Sequence, residues 1–113
     1  MQGIVLTQGT PDRCLRAYPS EQFEQQAALY LAEPVTTQAG RAMRLAFFSS
    51  ADRVEMDRQG RVLVPPVLRQ WAGLEGQVVV VGTGDSFLVW NASEYEAAAA
   101  AAEARYRQTL DAE

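Results

Sequence analysis

Neither histidine nor lysine occurs in this 113-residue chain, and cysteine occurs once, as Cys14. Each absence closes off chemistry. Without histidine, a protein-only zinc site would rest on one thiolate and carboxylates. General acid–base or nucleophilic catalysis is left with Cys14 and scattered acids, with no nucleophile–base pair and no phosphate-loop signature. A single cysteine excludes an intrachain disulfide and suits a reducing cytosol. Cys14 lies in an apolar stretch, where a buried, inert thiol is the expectation. Long apolar runs are lacking too: the alanines at 97–102 fall far short of the roughly 20 residues of a membrane span, and no basic segment followed by an apolar one opens the chain. Gly82-Thr83-Gly84-Asp85 lacks the rest of a dinucleotide fingerprint and reads as a connection between two strands. A non-enzymatic chain without cofactor, metal or membrane partner is expected.

What is present supports one real core: 48% of the residues are hydrophobic. A domain this small gains by pairing, so self-association is expected. The net charge of −4 is the wrong sign for the usual footprint of nucleic-acid binding. Its distribution differs from its sum, because six of the ten arginines fall between Arg41 and Arg69, against only Asp52, Glu55 and Asp57. With no lysine, every cation is a planar guanidinium able to grip phosphate or guanine through two bonds. The lack of lysine beside abundant alanine fits a GC-rich genome equally well.

Residues 57–74, DRQGRVLVPPVLRQWAGL, carry the densest local signals. Asp57 and Gly60 suit the first and fourth positions of a type I turn. Residues 53–57 alternate polar and apolar, and Val62-Leu63-Val64 is β-branched, so a hairpin of strands at 52–57 and 60–64 is predicted. Pro65 and Pro66 fit the first turn of a short helix that Gly73 stops. Elsewhere the pattern predicts strands at 3–7, 14–18, 77–82 and 86–90, and helices at 20–32, 37–48 and 93 to about 110. Ala39, Met43, Ala46 and Phe47 form one helical stripe expected to face the core or a neighbour; Tyr95, Ala99, Ala102, Tyr106 and Leu110 form another, with solvent preferred beyond 104. Residues 14–24 repeat at 86–96 with an offset of 72 throughout: a short strand ending in Tyr18 or Trp90, a polar break, then a helix. In the second copy Ser93 and Glu96 have the spacing of a capping box.

The order Asp57-x-x-Gly60-Arg61, apolar residues, Pro65, Leu68-Arg69, Gly73-Leu74, a valine strand and the aromatic Phe87-Leu88-Val89-Trp90 resembles the C-terminal half of the MraZ family of SpoVT-AbrB-like proteins. The likeness runs from about Gly3 to Ala98. It implies an α+β fold: a small split β-barrel of swapped-hairpin units flanked by helices. Residues 1–50 would be a partial first unit with linking helices, and 51–113 a complete second unit with a C-terminal helix. The resemblance also implies a DNA-binding transcriptional regulator. Such a protein acts on promoter repeats of the division and cell-wall gene cluster, as a ring-like homo-oligomer in the cytoplasm and nucleoid. One departure stands out. The family carries the Asp-x-x-Gly-Arg turn in both halves and this chain carries it once, so the first half lacks its N-terminal hairpin. Either the true start lies upstream or this is a shortened paralogue.

On this reading double-stranded DNA would meet Arg58, Gln59, Gly60 and Arg61 at the turn, with Arg53 on the preceding strand as a weaker candidate. Two guanidinium groups stand close together there, Gln59 could read an adenine edge, and the resemblance implicates the Arg61 position in DNA binding. The plain alternative is that Arg61 braces the hairpin by pairing with Asp57 or Glu55. Arg69, following Leu68, reads as structural. A rival to DNA binding is a truncated oligomerisation module or an antitoxin-like interaction module.

Overall fold

The structure is a computed structural model that describes residues 2–10 and 12–111. Along the chain run β1 (Gln2–Gln8), β2 (Leu15–Pro19), α1 (Ser20–Leu31), α2 (Gln38–Ser50), β3 (Asp52–Met56), α3 (Pro66–Trp71), β4 (Val78–Gly82), β5 (Phe87–Asn91) and α4 (Ala92–Asp111). The strands form one antiparallel sheet in the order β3-β1-β2-β5-β4. The α+β class follows from this.

Strand alternation sorts the core onto two faces. Ile4, Leu6, Leu15 and Ala17 point to one face, where α3 and the turn after it lay Leu68, Ala72 and Leu74 over them. Val5 and Tyr18 point to the other, against Phe23 and Ala27 of α1 and Phe47 of α2. Phe47 stacks between two rings, with centroids 5.3 Å from Phe23 and 4.1 Å from Tyr30. Full burial of each such side chain contributes about 1.5–3 kcal/mol, so the central strands β1 and β2, which hold most of it, anchor the fold.

The offset of 72 persists in three dimensions. Leu15–Pro19 and Phe87–Asn91 are both strands, and helices begin at Ser20 and Ala92. The two copies pair with each other about a local two-fold: Arg16 faces Leu88, while Leu15 faces Val89 and Ala17 faces Phe87. Each is joined to an antiparallel neighbour, β1 to β2 and β4 to β5.

Several details depart from the sequence reading. Residues 60–64 form no strand; β3 pairs instead with β1, Val54 opposite Ile4. The cause is packing: Val64 joins the cluster around Leu68 and Leu74, which carries the chain across the sheet face rather than alongside β3. Ser93 does not cap α4 and no polar break precedes it. Asn91 caps it directly, its Oδ1 accepting from the Ser93 N–H at 2.9 Å, while its Nδ2 donates to the Gly73 carbonyl. That second bond ties the end of the α3 loop to the start of α4. Of the α2 stripe expected to face the core or a neighbour, Phe47 reaches the core through its aromatic stack, and Ala39, Met43 and Ala46 are exposed on the single chain, which leaves the neighbour alternative open. In α4, Tyr95 and Ala99 are half-buried and every described residue from Ala100 on is exposed. The projecting helix is consistent with a radius of gyration of 15.5 Å, against about 13 Å for a closely packed chain of this length.

Cys14 is buried just before β2. Loss of solvation and then the nearby Asp12 charge push its thiol above the ordinary value, as an inert core cysteine requires. Residues 83–86 connect β4 to β5, with the Thr83 N–H donating to the Ser86 carbonyl at 2.9 Å. Among the described residues no helix is long and apolar enough to cross a membrane, and no group of three or more acids, cysteines or histidines is placed to hold a metal.

Candidate nucleic-acid interface

The turn after β3 is built around Asp57, whose polar atoms are all used. Its carbonyl accepts from the Gly60 N–H at 3.0 Å, and its own N–H donates to the Arg61 carbonyl at 2.9 Å. Oδ1 accepts from the Gln59 and Arg61 N–H groups at 2.9 and 2.8 Å. Oδ2 accepts from Arg61 Nε at 2.8 Å. Gly60 sits at φ +80°, the left-handed conformation that glycine adopts without a Cβ penalty. The type I turn expected from the sequence is therefore formed, and by the expected residues.

Both readings of Arg61 meet at this point. It pairs with Asp57, as the bracing alternative holds, but only through Nε. Its side chain is 74% exposed, and its two terminal amino groups have no partner among the described residues. The Nε contact fixes the direction of the guanidinium without consuming the fork that grips phosphate or a guanine edge. Arg58 and Gln59 are exposed beside it. Asp57, Arg58, Gln59 and Arg61 line one shallow, open concavity.

Arg53 is not brought to this concavity. Its guanidinium carbon lies 5.8 Å from the Phe23 ring centroid, at the outer range of a cation–π contact, and it thereby links β3 to α1. Arg41 is engaged elsewhere, donating to the Val35 carbonyl at 2.7 Å. The arginine excess between 41 and 69 is thus spread over several surfaces. Arg69, read from sequence as structural, is exposed beside Leu63 and Val64, and its side chain makes no hydrogen bond among the described residues. Being next to buried Leu68 on a helix turns it the other way, about 100° round the axis.

Arg16 escaped the sequence reading. Its guanidinium donates to Ser86 Oγ at 2.8 Å and Thr83 Oγ1 at 3.2 Å, so it clamps the β4–β5 connection onto β2. The signal was there in the alternation of Leu15, Arg16 and Ala17, which sends an arginine to the face opposite the main core.

The hydrogen bonds from Arg61, backbone first and then side chain, hold the Asp57 carboxyl below the ordinary carboxylate value. A lowered acid stabilises the folded turn above its unfolded pKa, and the effect is lost as pH falls through the folded one. The turn should keep its shape from neutral pH to about 4 and loosen below that. Carboxyl chemical shifts followed by NMR should give an Asp57 midpoint below the ordinary aspartate value, and Arg61→Ala should raise it.

Comparison with known proteins returns a consistent set. Residues 47–112 match a family model described as "MraZ protein, putative antitoxin-like". The chain is 40% identical over 95 residues to the transcriptional regulator MraZ of Coxiella burnetii, covering 84% of this chain and 62% of that protein. It is 41% identical over 98 residues to that of Thermobifida fusca, covering 84% and 68%, and 39% identical over 93 residues to that of Lactiplantibacillus plantarum, covering 82% and 65%. The chain thus spans about two thirds of the length of the curated relatives it matches.

Proposed function

The chain belongs to the MraZ family, and on that premise we propose that it regulates transcription by binding promoter DNA through the Asp57–Arg61 turn. The observation that carries this reading is Arg61: oriented by Asp57 yet exposed, its terminal amino groups without a partner among the described residues and lying beside Arg58 and Gln59. An exposed pair of guanidinium groups, that of Arg61 oriented by Asp57, suits phosphate and major-groove base edges. Arg53 is assigned no more than a flanking role. Two arginines cannot hold DNA tightly by themselves. Assembly supplies the rest, because several turns on one oligomer, matched to repeated half-sites, raise avidity by roughly 10²–10⁴. On the same reading the chain comprises a partial first unit over 1–50 and a second unit over 51–113, and acts in the cytoplasm at the nucleoid. Promoter repeats of the division and cell-wall cluster are the proposed targets, and a ring-like homo-oligomer the proposed assembly. Regulators, not enzymes, are what the relatives' names describe.

The test is a fluorescence anisotropy titration of the protein against its own upstream promoter, with scrambled DNA as control, at low and moderate salt. Promoter preference that weakens with salt is the expected result. Equal binding to both DNAs, or none from a folded oligomer, would overturn the DNA reading. It would favour an antitoxin-like or oligomerisation module, which the single Asp-x-x-Gly-Arg turn and the wording of the family match also support.

A further inference from the structure

Where α1 and α2 meet the sheet, the internal repeat exposes a difference between its two copies. Carried on through the helices that begin at Ser20 and Ala92, the repeat sets Arg16, Tyr18, Gln26 and Tyr30 against Leu88, Trp90, Ala98 and Ala102. Ile4 faces Pro19 as Val78 faces Asn91, so Thr7 corresponds to Val81. Five places that carry hydroxyl, amide or guanidinium groups in one copy carry hydrocarbon or indole in the other. Packing at these places is therefore met without them, and a hydroxyl taken from water without a partner costs free energy.

All five polar residues line one open cleft of about 410 Å³, within the size range of small-molecule sites. Thr7 and Tyr18 are only 2% and 7% exposed, yet neither hydroxyl has a hydrogen-bond partner among the described residues. No described side-chain nitrogen or oxygen sealed from solvent lacks a partner, so both hydroxyls open onto the cleft. Loss of solvation holds the Tyr18 phenol above its ordinary value, and it remains a donor at neutral pH. Arg16 is half-buried beside them. Its Nη1 holds Ser86 and Thr83, while Nε and Nη2 have no partner among the described residues. The ion pairs among those residues lie elsewhere, at Asp57–Arg61 and Glu103–Arg107. A half-buried cation without a counter-ion favours an anion. Asp85, exposed at the rim and accepting from Ser86 Oγ at 3.2 Å, opposes a second negative charge.

We propose that this cleft binds a small organic monocarboxylate bearing a further hydroxyl or amide group. The carboxylate meets Arg16, the second polar group meets Thr7, Tyr18 and Gln26, and the body of the molecule lies against Tyr30 and Met43. No residue of the Asp57–Arg61 turn takes part, so failure of this proposal leaves the DNA reading standing.

The experiment is ligand-observed saturation-transfer NMR on the whole chain, which works at any assembly size. The probes are lactate, N-acetylglycine and 4-hydroxybenzoate, each beside its uncharged amide, with inorganic phosphate as a bare anion. At least one acid should bind with a Kd of roughly 1 mM or tighter, and its amide about tenfold more weakly or worse. Arg16→Leu should weaken that acid by roughly 10- to 150-fold. Because this variant also loses the hold on Ser86 and Thr83, Thr7→Val and Tyr18→Phe serve beside it. Each deletes a hydroxyl that the chain itself does not bond, so each should weaken the acid roughly two- to tenfold while the urea midpoint holds or rises. No binding by any of the acids, whether water or a neighbouring copy fills the cleft, would overturn the proposal. So would amides or phosphate that bind as well as the acids, or an acid whose affinity survives all three substitutions.

Discussion

Arg61→Ala is expected to remove promoter preference while leaving the fold intact. The two effects separate because they rest on different atoms. The Arg61–Asp57 ion pair is exposed, and solvent screening leaves such pairs little share in stability. Moreover, the bonds from the Gln59, Gly60 and Arg61 backbone N–H groups to Asp57 survive the substitution. A base contact by a guanidinium fork is worth about 1–3 kcal/mol of discrimination, or roughly 5- to 150-fold per turn, and an assembly presenting several turns loses that factor at each. If Arg61 meets phosphate instead, affinity falls for all sequences alike and the slope of log K against log salt decreases by about one. Anisotropy at several salt concentrations distinguishes the two. Unchanged binding by a folded variant would remove the turn from the DNA interface.

Leu15→Ala should be among the most damaging single truncations for stability. Leu15 is fully buried on β2, between β1 and β5 in the sheet, opposite Gln8 on one side and Val89 on the other. Truncation there removes transfer energy and leaves a void beneath α3 that the surrounding strands cannot close, at a cost of about 2–5 kcal/mol. Set against the total of about 5–15 kcal/mol typical of such domains, this takes a large share of the margin. Urea denaturation should show a midpoint well below that of the parent chain. By contrast Leu63, 86% exposed, should tolerate alanine within about 0.5 kcal/mol.

Local chemistry was legible wherever a residue's role depends on its near neighbours in the chain. Asp57 and Gly60 specify their turn because the bonds they make span only four residues. The starts of α1 and α4 follow from a repeat whose offset of 72 carries over to both strands and both helices. Roles that depend on distant partners were less visible. The alternation at 53–57 shows a strand but not its neighbour, and β1 took the place that 60–64 seemed to fill. The arginine cluster was dense in sequence, yet the fold sends Arg41 to Val35, Arg53 to Phe23 and only Arg58 and Arg61 to the turn.

The sequence by itself determined the exclusion of histidine-based catalysis, the absence of an intrachain disulfide, the order of the elements apart from the strand predicted at 60–64, and the conformation of the turn, since each depends on composition or on bonds a few residues long. Tertiary structure alone decided which strands adjoin, that Asn91 rather than Ser93 caps α4, and that β3 pairs with β1. These follow from side-chain packing between residues far apart in the chain, such as Val64 on Leu68 and Leu74 and Leu15 beside Val89, where burial of apolar surface outweighs local preference.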